Sequence, residues 1–136
     1  MICVFCGEKG SGKTKRLINL ANEKALINKG NLVYIDDDSR LNFELKNKIR
    51  FIPTEEFDLK DYKSFYAFLC GILSEDYDID TVFIDGLGNI VDEGIHNAAP
   101  LFYYLEKISE RKDVDFYINI SEKENSLPEF VKKYIA

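Results

Sequence analysis

The chain has 136 residues, 46% hydrophobic and 31% charged, which is the balance of a globular protein with one modest core. Its formal net charge of −6 argues against an open surface for a nucleic-acid backbone, and no apolar run approaches the length that spans a bilayer. Met1-Ile2-Cys3-Val4-Phe5-Cys6 leads straight into a strand with no basic leader, so the expectation is a cytoplasmic protein with one domain over residues 1–136, away from membranes.

Strand and helix signals alternate along the chain, the mark of parallel βα units. The first strand covers about 2–6. A Gly-rich turn follows, then a helix over about 13–28, with Leu17, Leu20, Ala21, Lys24 and Ala25 on one face and Gly30 as its stop. The second strand is Leu32-Val33-Tyr34-Ile35, ending in Asp36-Asp37-Asp38. A short helix is expected over Leu41–Lys46, and a strand over Ile49–Ile52, with Pro53 suiting a sheet edge or a strand end. Tyr62, Phe65, Tyr66, Leu69, Ile72 and Leu73 recur at helical spacing over about 61–75 and read as core. A further strand covers 81–85, a helix runs from about Ala99 to Arg111 with Pro100 in its first turn, and a strand covers 115–120. Pro128 opens a last helix that is expected to reach the C-terminus.

Cys3, Cys6 and Cys70 are the only cysteines. Cys3-x-x-Cys6 has the spacing of a redox or zinc pair, but residues three apart on a strand face opposite sides, and no second pair follows to complete a zinc site. They read as small core residues in a reducing compartment. His96, the single histidine, reads as a surface-loop residue. Gly86 and Gly88, just after Asp85, suggest a bend or mobile loop.

The chemistry concentrates at Gly7-Glu8-Lys9-Gly10-Ser11-Gly12-Lys13-Thr14, which fits G-x-x-x-x-G-K-[ST] at every fixed position. A strand precedes it and a helix follows, the context this motif requires. The glycines let the loop turn its N–H groups inward around a phosphate, and the helix N-terminus adds partial positive charge. Lys13 can reach the β- and γ-phosphates, and the Thr14 hydroxyl can ligate Mg²⁺. Thr81-Val82-Phe83-Ile84-Asp85 is a mostly apolar run ending in an acid. An Asp beyond the carboxyl end of a parallel strand can hold Mg²⁺, usually through water, beside Thr14.

On these two motifs the chain resembles the P-loop NTPase superfamily. The likeness implies a three-layer α/β/α domain with a mostly parallel sheet, ATP and Mg²⁺ as ligands, and the phosphate loop as their site. GTPases of the superfamily read guanine with Asn-Lys-x-Asp, which is absent here, so ATP is favoured over GTP. The RecA-like branch is favoured, with strand 115–120 between strands 2–6 and 81–85; the alternative sets those two side by side. The chain also resembles small stand-alone bacterial ATP-binding proteins.

Many of these enzymes carry Asp-Glu at the second motif, but Asp85 is followed by Gly86. RecA-like members can take an activating carboxylate from the end of strand 2, where this chain has Asp36, Asp37 and Asp38. With Lys13, these are the candidate catalytic residues, set against a solvated acidic turn. Asn119 and Ser121 stand where RecA-like ATPases place a polar γ-phosphate sensor. Arg40, after the strand 2 acids, is the best candidate for a phosphate contact, though a surface ion pair fits it better.

The reading is Mg²⁺-dependent ATP binding with slow or partner-stimulated hydrolysis, the protein partner and the oligomeric state left open by the sequence. A small-molecule or nucleoside kinase is the first alternative. Thymidine kinases share a loosely similar second-strand end, but their zinc lasso and Asp-Glu are missing here. A nucleotide-binding regulator without turnover is the second.

Overall fold

In β2 (Asn31–Asp36) alternate side chains leave the sheet on opposite faces, as strand geometry requires. Leu32 and Tyr34 enter one core and Val33 and Ile35 the other. The same division runs through β1 (Ile2–Cys6), β3 (Ile49–Pro53), β4 (Ile79–Ile84) and β5 (Asp115–Ile120). In this computed structural model, which describes residues 1–40 and 42–136, the five strands form one sheet in the order β1-β5-β4-β2-β3. Each neighbouring pair is parallel. β5 lies between β1 and β4, the RecA-like order, and the adjacent arrangement of β1 and β4 is excluded.

The helix α1 (Lys13–Ile27) covers one face, setting Leu17, Ile18, Ala21 and Ala25 against Leu32, Tyr34, Phe83 and Tyr117. The other face takes α2 (Tyr62–Glu75) and α4 (Ala99–Lys112). There Phe65, Leu69, Leu101 and Leu105 join Val33, Ile35, Val82, Ile84 and Phe116 in the larger core. Burying each of these side chains stabilises the fold by roughly 1.5–3 kcal/mol, and three layers result. Cys3 packs with the α1 side and Cys6 with the other, so the two thiols do face apart. Both are half-buried, because β1 is an edge strand.

Several boundaries differ from expectation. α1 ends at Ile27, before Gly30, because Asn28 caps it: the Asn28 backbone N–H donates to Lys24 O, and its side chain donates to Thr81 Oγ1 at 3.0 Å. The expected helix over Leu41–Lys46 is a 3₁₀ turn at Asn42–Glu44, Leu41 itself lying outside the described residues. A short helix, α3 (Leu87–Ile90), starts just past β4 where Gly86 and Gly88 suggested a bend or mobile loop; Gly86, at φ 71, supplies the left-handed turn into it.

The last helix, α5 (Glu129–Lys132), stops short of the C-terminus. Instead Val4 N–H donates to Tyr134 O at 2.8 Å and Ala136 N–H donates to Val4 O at 3.0 Å. The C-terminal residues thereby bridge the outer edge of β1 at Val4 and Ile135, a cover for an otherwise open sheet edge.

The start of α2 is set by Asp61, whose carboxylate accepts from the Ser64 N–H at 2.8 Å. Asp61→Ala is expected to lower stability by about 1 kcal/mol, with no change in fold, as a denaturant midpoint shift would report.

Candidate functional site: a glycine-rich loop facing an acidic strand end

The loop between β1 and α1 closes on itself. Gly10 and Gly12 hold φ 86 and 88, angles that a Cβ strongly disfavours. Gly7 N–H donates to Glu122 O at 2.8 Å, tying the loop's start to the segment after β5. Lys13 is 9% exposed and folds back over the loop, its Nζ donating to Glu8 O at 2.9 Å and lying 3.5 Å from Ser11 Oγ. Glu8 and Lys123 make an exposed ion pair across the rim at 3.3 Å.

Asp85 stands opposite, one residue past β4 and 5% exposed. Its Oδ1 accepts from Thr14 Oγ1 at 3.2 Å and from Asn119 Nδ2 at 3.0 Å, and its Oδ2 accepts from Tyr34 OH at 2.8 Å. The topology explains the meeting. Phe83 on β4 pairs with Tyr34 on β2 and with Tyr117 on β5, so Asp85, two residues on from Phe83, shares the α1 face with Asn119, two on from Tyr117. Thr14 arrives at the same place from the first turn of α1. Burial first, then the Asp85 carboxylate, holds the Tyr34 hydroxyl well above the usual phenol range, so it stays a donor.

One cavity of about 370 Å³ is lined by the loop residues Lys9, Gly10, Gly12, Lys13 and Thr14, by Asp85, and by Asp36, Asp37, Asp38 and Arg40. The two sequence motifs and the strand 2 acids therefore converge on one space. Within it the three acids differ. Asp36 is half-buried, and its carboxyl is pushed up to about 8 by burial, by its side-chain hydrogen bond with Asp37 and by the charge of Asp85, against the lowering effect of the Asp37 backbone N–H. Asp38 is held below the usual carboxylate range by its hydrogen bond with Arg40, whose Nε lies 2.9 Å away. That pair is largely exposed on the Arg40 side, and such ion pairs contribute little to stability. Arg40 thus sits both on the cavity wall and in the expected surface ion pair. Arg16 lies over the Phe5 ring at 4.8 Å, and His96 is exposed in a 3₁₀ turn, Ile95–Asn97.

Among the described residues no group of three His, Cys, Asp or Glu side chains forms a metal cage. Mg²⁺ needs none where phosphates and water complete its shell. The Thr14 hydroxyl and the Asp85 carboxylate are hard oxygen donors already in contact, and Asn119 Oδ1 is buried beside them without a hydrogen-bond partner. A water of a hydrated cation would supply the donor that this oxygen lacks, so the donor set fits Mg²⁺. Sequence reasoning had Thr14, Asp85 and Asn119 but passed over Tyr34. The signal was a tyrosine in an otherwise aliphatic strand, since a buried phenol needs a partner for its hydroxyl.

No family model matches the chain, and none of the curated proteins does. Among solved structures it is similar to the flagellar accessory protein FlaH from Methanocaldococcus jannaschii, at 17% sequence identity and a TM-score of 0.63. The likeness covers 97% of this chain and 65% of that one, so this chain spans a little under two thirds of the other's length. What the two share is the fold, a RecA-like α/β sheet flanked by helices.

Proposed function

We propose that this chain binds ATP with Mg²⁺ at the loop of residues 7–14 and hydrolyses it slowly or under stimulation by a protein partner. The observation that carries this reading is the convergence of Lys13, Thr14, Asp85 and Asp36–Asp38 on one cavity. The loop N–H groups and Lys13 bind the phosphates, Lys13 exchanging Glu8 O for a phosphate oxygen. Thr14, and Asp85 through water, would hold the metal, which would neutralise phosphate charge. Of the three acids, Asp36 is the candidate to take a proton from an attacking water once its own is lost: it lines the cavity with Asp85, Asp38 is engaged with Arg40, and its raised carboxyl lies near the working range of a general base. Asn119 senses the phosphate end from the tip of β5. ATP is preferred to GTP in this reading, and the protein acts in the cytoplasm.

A kinase reading is favoured by one observation. A second cavity of about 380 Å³ adjoins the first through Gly86, Asn89 and Ser121, and it would seat a phosphoryl acceptor. Phosphate release without an added acceptor supports hydrolysis, and acceptor-dependent ADP formation supports transfer.

Calorimetric titration of ATP with Mg²⁺ and with a chelator tests the binding reading. Asp85→Asn is expected to cut the gain in affinity given by Mg²⁺ by roughly 10- to 100-fold, while metal-free binding changes little. Equal losses in both conditions would assign Asp85 a structural role only.

A further inference from the structure

We infer that Tyr34 is a positioning residue for the metal-binding carboxylate: its hydroxyl pins Asp85 Oδ2 so that Oδ1 stays aimed at Thr14. The inference rests on the ATP–Mg²⁺ reading above and assigns a role to a strand residue outside both sequence motifs.

The asymmetry around Asp85 is the first observation. Oδ1 has two donors, Thr14 and Asn119, and Oδ2 has one, Tyr34. A hydroxyl that binds a cation through an oxygen lone pair keeps its proton, so Thr14 would still donate to Oδ1. Thr14 and Asn119 both act on that one oxygen, and Tyr34 alone fixes the far oxygen and with it the rotation of the group.

The second observation is how firmly Tyr34 itself is placed. It is 1% exposed. Its ring lies between Phe51 on β3 and Phe83 on β4, with centroids at 6.1 and 6.0 Å and planes tilted by 21° and 22°. The ring cannot swing without opening the α1-side core. A hydroxyl held this way is a rigid anchor, and anchors behind a metal-binding oxygen set its orientation and the affinity of the site. The alternative is a core tyrosine that merely satisfies its hydroxyl on the nearest acid.

Tyr34→Phe separates the two. It keeps the ring between Phe51 and Phe83 and removes only the hydroxyl. ATP affinity is measured by calorimetry with Mg²⁺ and with a chelator, for wild type, Y34F, D85N and the double variant, alongside thermal unfolding to establish that each is folded. The expected result is metal-free affinity within about twofold of wild type and a five- to tenfold smaller gain from Mg²⁺ in Y34F, about the lower end of the range for such anchors. In the D85N background the same change is expected to leave the Mg²⁺ gain unaltered.

A loss of thermal stability alone, with the wild-type Mg²⁺ gain retained, would overturn the inference and leave Tyr34 a core residue. A further loss of Mg²⁺ gain in the D85N background would overturn it too, since the effect would not pass through Asp85. Wild-type protein that gains nothing from Mg²⁺ would overturn the ATP–Mg²⁺ reading itself, and this inference with it. Should Y34F not fold, the Tyr34 hydroxyl is followed by NMR in wild type: its proton is expected to stay protected from exchange when ATP and Mg²⁺ bind, and a proton that becomes freely exchanging on binding would overturn the inference.

Discussion

Asp36→Asn is expected to lower ATP turnover by about 10²- to 10⁴-fold, the usual cost of losing a general base, with ATP affinity within a few-fold of wild type. Single-turnover rates and calorimetry read the two quantities separately. The pH profile gives a second handle. Asp36 holds its proton up to about 8, so wild-type kcat/KM is expected to rise with pH through that value and level above it, and the rise is expected to vanish in the variant. Stability runs the other way. The folded chain keeps a proton on Asp36 that the unfolded chain gives up near 3.8, so this group's contribution falls as pH climbs from about 3.8 to about 8 and is flat beyond. If D36N hydrolyses ATP at the wild-type rate, Asp37 is the next candidate, because Asp38 is engaged with Arg40. If the variant with all three acids changed to Asn turns over normally, the strand 2 acids are a solvated turn.

Lys13→Ala is expected to weaken ATP binding by about 10- to 150-fold, the loss of a charge-assisted contact of roughly 1.5–3 kcal/mol. The fold is expected to survive. The Lys13 ammonium donates to Glu8 O and lies near Ser11 Oγ, and both are loop atoms that water can reach once the side chain is gone. An unchanged thermal midpoint with wild-type affinity by calorimetry would remove the phosphate-loop assignment.

Much of this arrangement is legible in the residues. The loop is legible because its chemistry is local: eight consecutive residues carry the glycines, the lysine and the hydroxyl. The strands are legible because Val, Ile, Tyr and Phe cluster in short runs between turns. Asp85 is legible as an acid closing such a run. What escaped are pairings between distant residues. Tyr34 reaches Asp85 only because β2 and β4 are neighbours in a given register, and no window along the chain contains both. The cover over β1 is missed for the same reason, since Ile135 meets Val4 from the other end of the chain. α3 is missed because four residues containing a glycine leave too little periodicity to detect.

The C-terminal cover gives the far end of the chain a hold on the glycine-rich loop after β1. Val4 is three residues ahead of Gly7, and both its backbone groups are engaged by residues 134–136. A tag, a proteolytic nick or a partner that peeled those residues away would bare the edge of β1 and loosen the strand on which the loop is mounted. The edge would then be open to a strand from another molecule. If the loop binds nucleotide as proposed, its affinity and self-association are expected to change together, from a disturbance at residues distant in sequence from the loop.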